Sequence, residues 1–194
     1  MLDRKSFFIR EHTGLLKLTD TYDILDPETQ DQIGLAREEV SGLVKAMRLL
    51  ISKRLMSTEI KVYSGTADQL GPLQFSIKRN ANLFRSKVSV LDPNGGELGY
   101  FKAKAFSIGG TFSVRTPDDE EVALIKGNWK GWTFKFLAGE KELGVITKKW
   151  AGLGKEMFTS ADNYIIDITE DVNPAITTLF LAGGLAIDTV FKEK

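Results

Sequence analysis

The chain has 194 residues, 42% of them apolar, and its 26 lysines and arginines are balanced by 26 aspartates and glutamates. It is long and apolar enough for one domain with a sizeable core, and zero net charge argues against nucleic acid as a partner while leaving room for a local basic patch. With no cysteine and a single histidine, His12, the chain offers no disulfide, thiolate nucleophile or His/Cys metal centre, so a reducing, cytoplasmic setting without metal or other cofactor is expected.

The N-terminal apolar run of Phe7, Phe8 and Ile9 ends at Arg10 and Glu11, too short for a signal-peptide core, and export is not expected. Residues 6–10 and 15–18 read as a first hairpin, and residues 22–27 and 33–37 as a second, with Pro27 in the turn. From Arg37 to Leu55 the spacing changes. Val40, Leu43, Val44, Met47, Leu50, Ile51 and Leu55 recur at helical intervals, opposite a basic face of Lys45, Arg48, Lys53 and Arg54. Such a helix packs over a barrel end or lies in a membrane interface; one apolar face opposite a basic one serves either place.

Strand alternation then resumes in four pairs of segments: 59–63 with 73–77, 88–93 with 98–102, 112–117 with 122–126, and 134–139 with 143–147. Polar turns separate the members of each pair. About twelve strands at short, even spacing predict a mainly β sandwich or barrel rather than a βαβ array. The last apolar run, residues 174–191, opens with Pro174 and is apolar on all sides, so as a helix it must be buried in protein or in lipid. Its small residues Ala182, Gly183 and Gly184 suit close packing against surrounding strands, and we expect it inside the barrel with Leu181, Leu185 and Val190 deeply buried.

The order Lys148, Trp150, Gly152, Glu156, Phe158, Thr159, Ala161, Asp162, Asn163, followed by Ile187-Asp188 inside the last helix, resembles the C-terminal part of phospholipid scramblases. The upstream hairpins look like the tubby-like C-terminal and LURP-one-related superfamily that includes them, so the resemblance covers nearly the whole chain. It implies a single domain over residues 1–194: a closed, twelve-stranded antiparallel barrel threaded by a hydrophobic C-terminal helix. It also implies a non-catalytic, membrane-peripheral protein whose partner is an anionic phospholipid or membrane surface, since tubby-type members bind phosphoinositide headgroups through basic residues and scramblases are linked to calcium-dependent lipid movement. The alternative is a protein-interaction or regulatory module with no lipid role.

The lipid-headgroup candidates are Lys78, Arg79, Arg85, Lys87, Lys102 and Lys104, opposed in that stretch only by Asp92 and Glu97. Lysine and arginine converging on phosphate form charge-assisted hydrogen bonds; the default for such residues on a barrel is a solvated face. Lys45, Arg48, Lys53 and Arg54 are the membrane-facing helix candidates. Trp129-Lys130-Gly131-Trp132 and Lys148-Lys149-Trp150 add the aromatic and basic groups found at membrane interfaces, with wall packing as their default. The scramblase calcium motif would place Ser160, Asp162, Tyr164, Ile166, Ile168 and Asp171 at its ligand positions. Ser160 is not acidic, however, and Ile165 stands where the loop needs glycine, so residues 164–168 read instead as the last strand. No nucleophile elbow, phosphate loop or diagnostic carboxylate pair supports an enzyme, and His12 reads as a turn residue.

Overall fold

A computed structural model describes residues 1–12, 19–40, 56–80, 87–104, 110–128, 130–148 and 163–188. Its strands are β1 (Ser6–Glu11), β2 (Thr21–Leu25), β3 (Gln32–Glu38), β4 (Thr58–Gly65), β5 (Leu70–Arg79), β6 (Lys87–Leu91), β7 (Glu97–Ala103), β8 (Thr111–Arg115), β9 (Glu121–Asn128), β10 (Thr133–Ala138), β11 (Lys141–Thr147) and β12 (Tyr164–Ile168). Each strand pairs antiparallel with its neighbours in sequence. The ring closes where β12 meets β1, with Phe7 opposite Ile166 and Ile9 opposite Tyr164. Closure leaves none of the described strands as an edge with unpaired backbone groups.

Alternation decides which side chains fill the barrel. In β4, Ile60 and Val62 point inward while Glu59, Lys61 and Tyr63 stay outside; in β10, Phe134 and Phe136 point inward around an exposed Lys135. At one end of the barrel the strands are joined by short turns in which aspartates satisfy the backbone. Asp26 accepts from the amides of Glu28 and Thr29, and Asp92 from those of Asn94 and Gly96, in each case before a proline that presets the turn. Gly95 and Gly139 supply the positive φ that two of these turns require.

The inward faces surround one helix, α1 (Pro174–Ala186), which starts at the short-turn end and runs along the barrel. Asn173 caps it, accepting from the Ile176 amide at 2.9 Å, and Pro174 occupies the first turn, where its missing N–H costs nothing. Residues 177–186 are all buried. The Thr178 hydroxyl returns to the Pro174 carbonyl at 2.8 Å, so burial leaves it bonded. Phe180 stacks on Phe136 with ring centroids 3.8 Å apart. A Cβ at Gly183 would lie 2.7 Å from the Phe136 ring, so glycine is what allows the helix this close to the wall. No helix among the described residues is long and apolar enough to cross a membrane.

Two sequence expectations are corrected. Both edges of β1 are taken, by β2 and β12, so its hairpin partner is β2 rather than residues 15–18, which lie outside the described residues. Arg37 ends the 33–37 strand as expected, but Glu38, assigned by spacing to the start of a helix, is the last residue of β3, and the two pair with Lys61 and Ile60 of β4; ladder hydrogen bonds and the inward turn of Glu38 override local helical spacing. The rest of that segment, with Lys45, Arg48, Lys53 and Arg54, lies outside the described residues, as does Val190. Tyr164–Ile168 forms β12, with Ile166 and Ile168 packed in the core.

Candidate functional site

The outer wall of β5, β6 and β7 is built from the residues that alternation leaves outside. Phe75 and Ile77 point into the core, which turns Lys78 outward; Val88 and Val90 do the same for Lys87, and Phe101 for Lys102. The register then brings them together. Lys87 lies directly opposite Lys102 across β6 and β7, and Lys78 lies opposite Ser89, two residues along from Lys87. Like charges facing each other across strands are unfavourable, so this wall carries electrostatic work that an anion would relieve.

Counter-charges meet only part of it. Lys87 pairs with Glu97 at 2.9 Å and sits 4.1 Å above the centre of the Tyr100 ring, and Lys104 pairs with Glu121 at 3.1 Å. Lys78 and Lys102 are exposed and form no ion pair with a carboxylate among the described residues. Below them, the Tyr100 hydroxyl donates to Asp119, which also accepts from Arg115 at 2.7 Å. The Tyr100 hydrogen bond, then that of Arg115, holds the Asp119 carboxyl below its usual range, and the same bond to Asp119 pushes the Tyr100 phenol up. This phenol, carboxylate and guanidinium brace the outer wall beneath the lysines.

Arg79 does not belong to the wall. It follows the inward positions Phe75 and Ile77, is 7% exposed, and donates to the Met56 carbonyl and the Thr58 hydroxyl, each at 3.2 Å. Its guanidinium ties the end of β5 to the start of β4. Arg85 lies outside the described residues, as do Trp129, Lys149, Trp150, Ser160 and Asp162. Asp171 is exposed and pairs with Lys5, and no group of three or more histidines, aspartates or glutamates among the described residues is arranged to hold a metal. His12 bonds through Nε2 to Asp23 at 2.8 Å, beside the Arg10–Asp23 pair.

A second pair of facing lysines escaped the sequence reading. Lys126 of β9 and Lys135 of β10 are exposed and directly opposite each other. The alternation of Ile125, Phe134 and Phe136 announces that both point outward, but only the strand register places them together. Lys135 pairs with Glu142, whereas Lys126 forms no ion pair among the described residues. In the turn that follows β9, the Asn128 side chain accepts from the Lys130 amide at 2.9 Å, and Lys130 is exposed. Beyond it Trp132 takes a φ of 44°, a left-handed backbone rare for a bulky residue. Its ring packs on Tyr164 and Phe134, with the Lys148 ammonium 4.6 Å from its centre.

A barrel threaded by its own C-terminal helix is thus joined to an outer wall of lysines, and the Scramblase family model matches residues 22–194 of the chain. The chain belongs to the Scramblase family. It is also similar to human phospholipid scramblase 2, at 24% identity over 116 residues, which make up 56% of this chain and 39% of that protein. The match therefore spans about two fifths of the curated relative's length. No solved structure matches the chain. For a Scramblase-family barrel, the described basic groups on the outside are of most interest, because α1 fills the interior that a ligand would otherwise enter.

Proposed function

We propose that this Scramblase-family barrel binds anionic phospholipid headgroups at a membrane surface, without catalysing a reaction, through Lys78, Lys87 and Lys102 on the outer wall of β5–β7. The observation that carries this reading is the strand register that sets Lys87 opposite Lys102, with Lys78 close by, on one outward face. Family membership and the likeness to a protein named phospholipid scramblase 2 support a phospholipid as the anion. A lysine near an anionic membrane contributes about 1 kcal/mol, so three on one wall suffice for reversible, peripheral attachment.

The test is flotation with vesicles of phosphatidylcholine, with and without phosphatidylserine. Wild-type protein should float only with the anionic lipid. Lys78→Glu combined with Lys102→Glu should lower partitioning by roughly thirtyfold or more, from the lost attraction alone, while the thermal melt stays nearly unchanged because both side chains are exposed. Failure of the wild type to float with any anionic lipid at low salt would decide for the protein-interaction reading.

A further inference from the structure

Ser89 stands in the middle of the lysine wall. It lies between the inward residues Val88 and Val90 of β6, so its side chain points outward, half-buried among its neighbours. The strand register sets Lys78 of β5 directly opposite it on one side and Tyr100 of β7 directly opposite on the other. Lys87 is two residues along the same strand, and Lys102, opposite Lys87, is diagonal to Ser89. Directly opposed side chains start about 5 Å apart, and diagonal or next-but-one neighbours about 7 Å, so the flexible stems of all three lysines can bring their ammonium groups to one place above the serine. The Ser89 hydroxyl has no hydrogen-bond partner among the described residues.

Three carboxylates lie close by, and none of them takes that place. Glu97 is engaged by Lys87, whose ammonium also rests on the Tyr100 ring. Glu59 of β4 stands opposite Lys78 on its far side and forms no ion pair with it. Asp119 is bonded to Tyr100 and Arg115 and feels the Lys102 charge more weakly. What remains open beside Ser89 is one hydroxyl donor and the ammonium groups of Lys78 and Lys102. A carboxylate or a phosphodiester brings a single negative charge to such a place. A phosphate monoester carries about 1.5–2 at pH 7, on three acceptor oxygens. One oxygen for each donor, and two charges for two lysines, make the monoester the better match.

We infer that Ser89, Lys78 and Lys102 form a pocket for a phosphate monoester group, carried by a lipid headgroup such as that of phosphatidic acid. The inference rests on the phospholipid reading above and adds to it a hydroxyl donor and a choice among anionic headgroups. A wall that acted by charge alone would bind every lipid surface of equal charge density alike, whereas a hydroxyl donor between two lysines selects by geometry as well.

Flotation compares vesicles of phosphatidylcholine containing phosphatidic acid with vesicles containing twice that fraction of phosphatidylserine, so that surface charge is matched. At pH 7 wild-type protein should partition roughly tenfold more strongly to the first. That preference should be lost by pH 5, where the monoester has taken up its second proton. Ser89→Ala should remove the preference while leaving the thermal melt and the binding to phosphatidylserine unchanged, and Ser89→Thr, which restores a hydroxyl on a strand-forming residue, should recover it. Inorganic phosphate tells a lipid from a free anion as the source: it should shift the amide resonance of residue 89 in the wild type and leave it unmoved in Ser89→Ala. Such a shift in a protein that ignores both kinds of vesicle would keep the pocket and overturn the lipid as its ligand. Equal binding to both kinds of vesicle, indifferent to Ser89→Ala, overturns the pocket and leaves the phospholipid reading standing. A wild type that responds to neither vesicles nor phosphate overturns both.

Discussion

Tyr22 and Asp188 join the barrel wall to the end of its threaded helix through one hydrogen bond, the phenol donating to the carboxylate at 2.9 Å in a fully buried site. Burial first, and then the neighbouring Asp188 charge, pushes the Tyr22 phenol well above its usual value of 10.0. The folded state therefore holds the neutral phenol. Its contribution is complete below pH 10 and drains away as the pH rises further, because the unfolded chain releases that proton first. Tyr22→Phe removes the donor and should cost about 1–3 kcal/mol at neutral pH in urea unfolding. Repeated above pH 10, the gap between wild type and variant should narrow; a gap independent of pH would show that the phenol does not ionise from a buried position.

At the scale of elements, the question is how a helix and a strand ring share one core, and glycine answers it differently on each. A Cβ at Gly144 of β11 would stand 2.4 Å from the Asp167 carbonyl oxygen of β12 and 2.7 Å from the Phe180 ring. That carbonyl is backbone in a paired strand and has nowhere to go. A Cβ at Gly184 of α1 would stand 2.5 Å from the Ile166 Cδ1 methyl, the tip of a side chain that can turn aside. Alanine in place of helical glycine also recovers up to about 1 kcal/mol of backbone entropy. Gly184→Ala should consequently fall within about 1 kcal/mol of wild type, while Gly144→Ala should lose about 3 kcal/mol or more, the upper end of overpacking costs. Denaturant melts of the two variants check the order, and equal losses would mean that the ring yields as readily as the side chain.

The element scale also shows where sequence reading succeeds. Alternation around Phe134 and Phe136, or Ile60 and Val62, is a property of neighbouring residues, and it assigns inside and outside without knowledge of the partner strand. Arg79 was legible in the same way: Phe75 and Ile77 already put position 79 inside, and grouping it with Lys78 by charge overlooked the pleat. The start of the segment after β3 was misread for the opposite reason. Its helical spacing is real, but Glu38 gains a ladder partner in β4 that no local pattern reveals.

For the whole molecule, attraction to a membrane depends on separation of charge rather than on net charge. At ~0.1 M salt the Debye length is about 10 Å, so Lys78, Lys87 and Lys102 would feel an anionic surface only with their wall close against it. Raising salt toward ~1 M shortens the length to about 3 Å and removes the attraction of the lysines themselves. Cosedimentation with anionic vesicles should accordingly decline steeply across that range. Salt-insensitive binding would point to apolar insertion in place of lysine contacts.

The sequence alone determines most of the strand segments, the residues that line the barrel, and the helix that must be buried, because each follows from periodicity within a few residues or from a run apolar on all sides. It also contains the acidic turns, each readable as a turn by its own Asp, Pro or Gly. What it does not contain is who faces whom. The Lys87–Lys102 and Lys126–Lys135 pairs exist only in the register of the β6–β7 and β9–β10 hairpins, and the passage of α1 through the ring exists only once β12 closes on β1. Alternation repeats every two residues and is silent about register, whereas charge placement depends on which residues of paired strands stand opposite each other, and closure of the ring joins the first strand to the last around one helix.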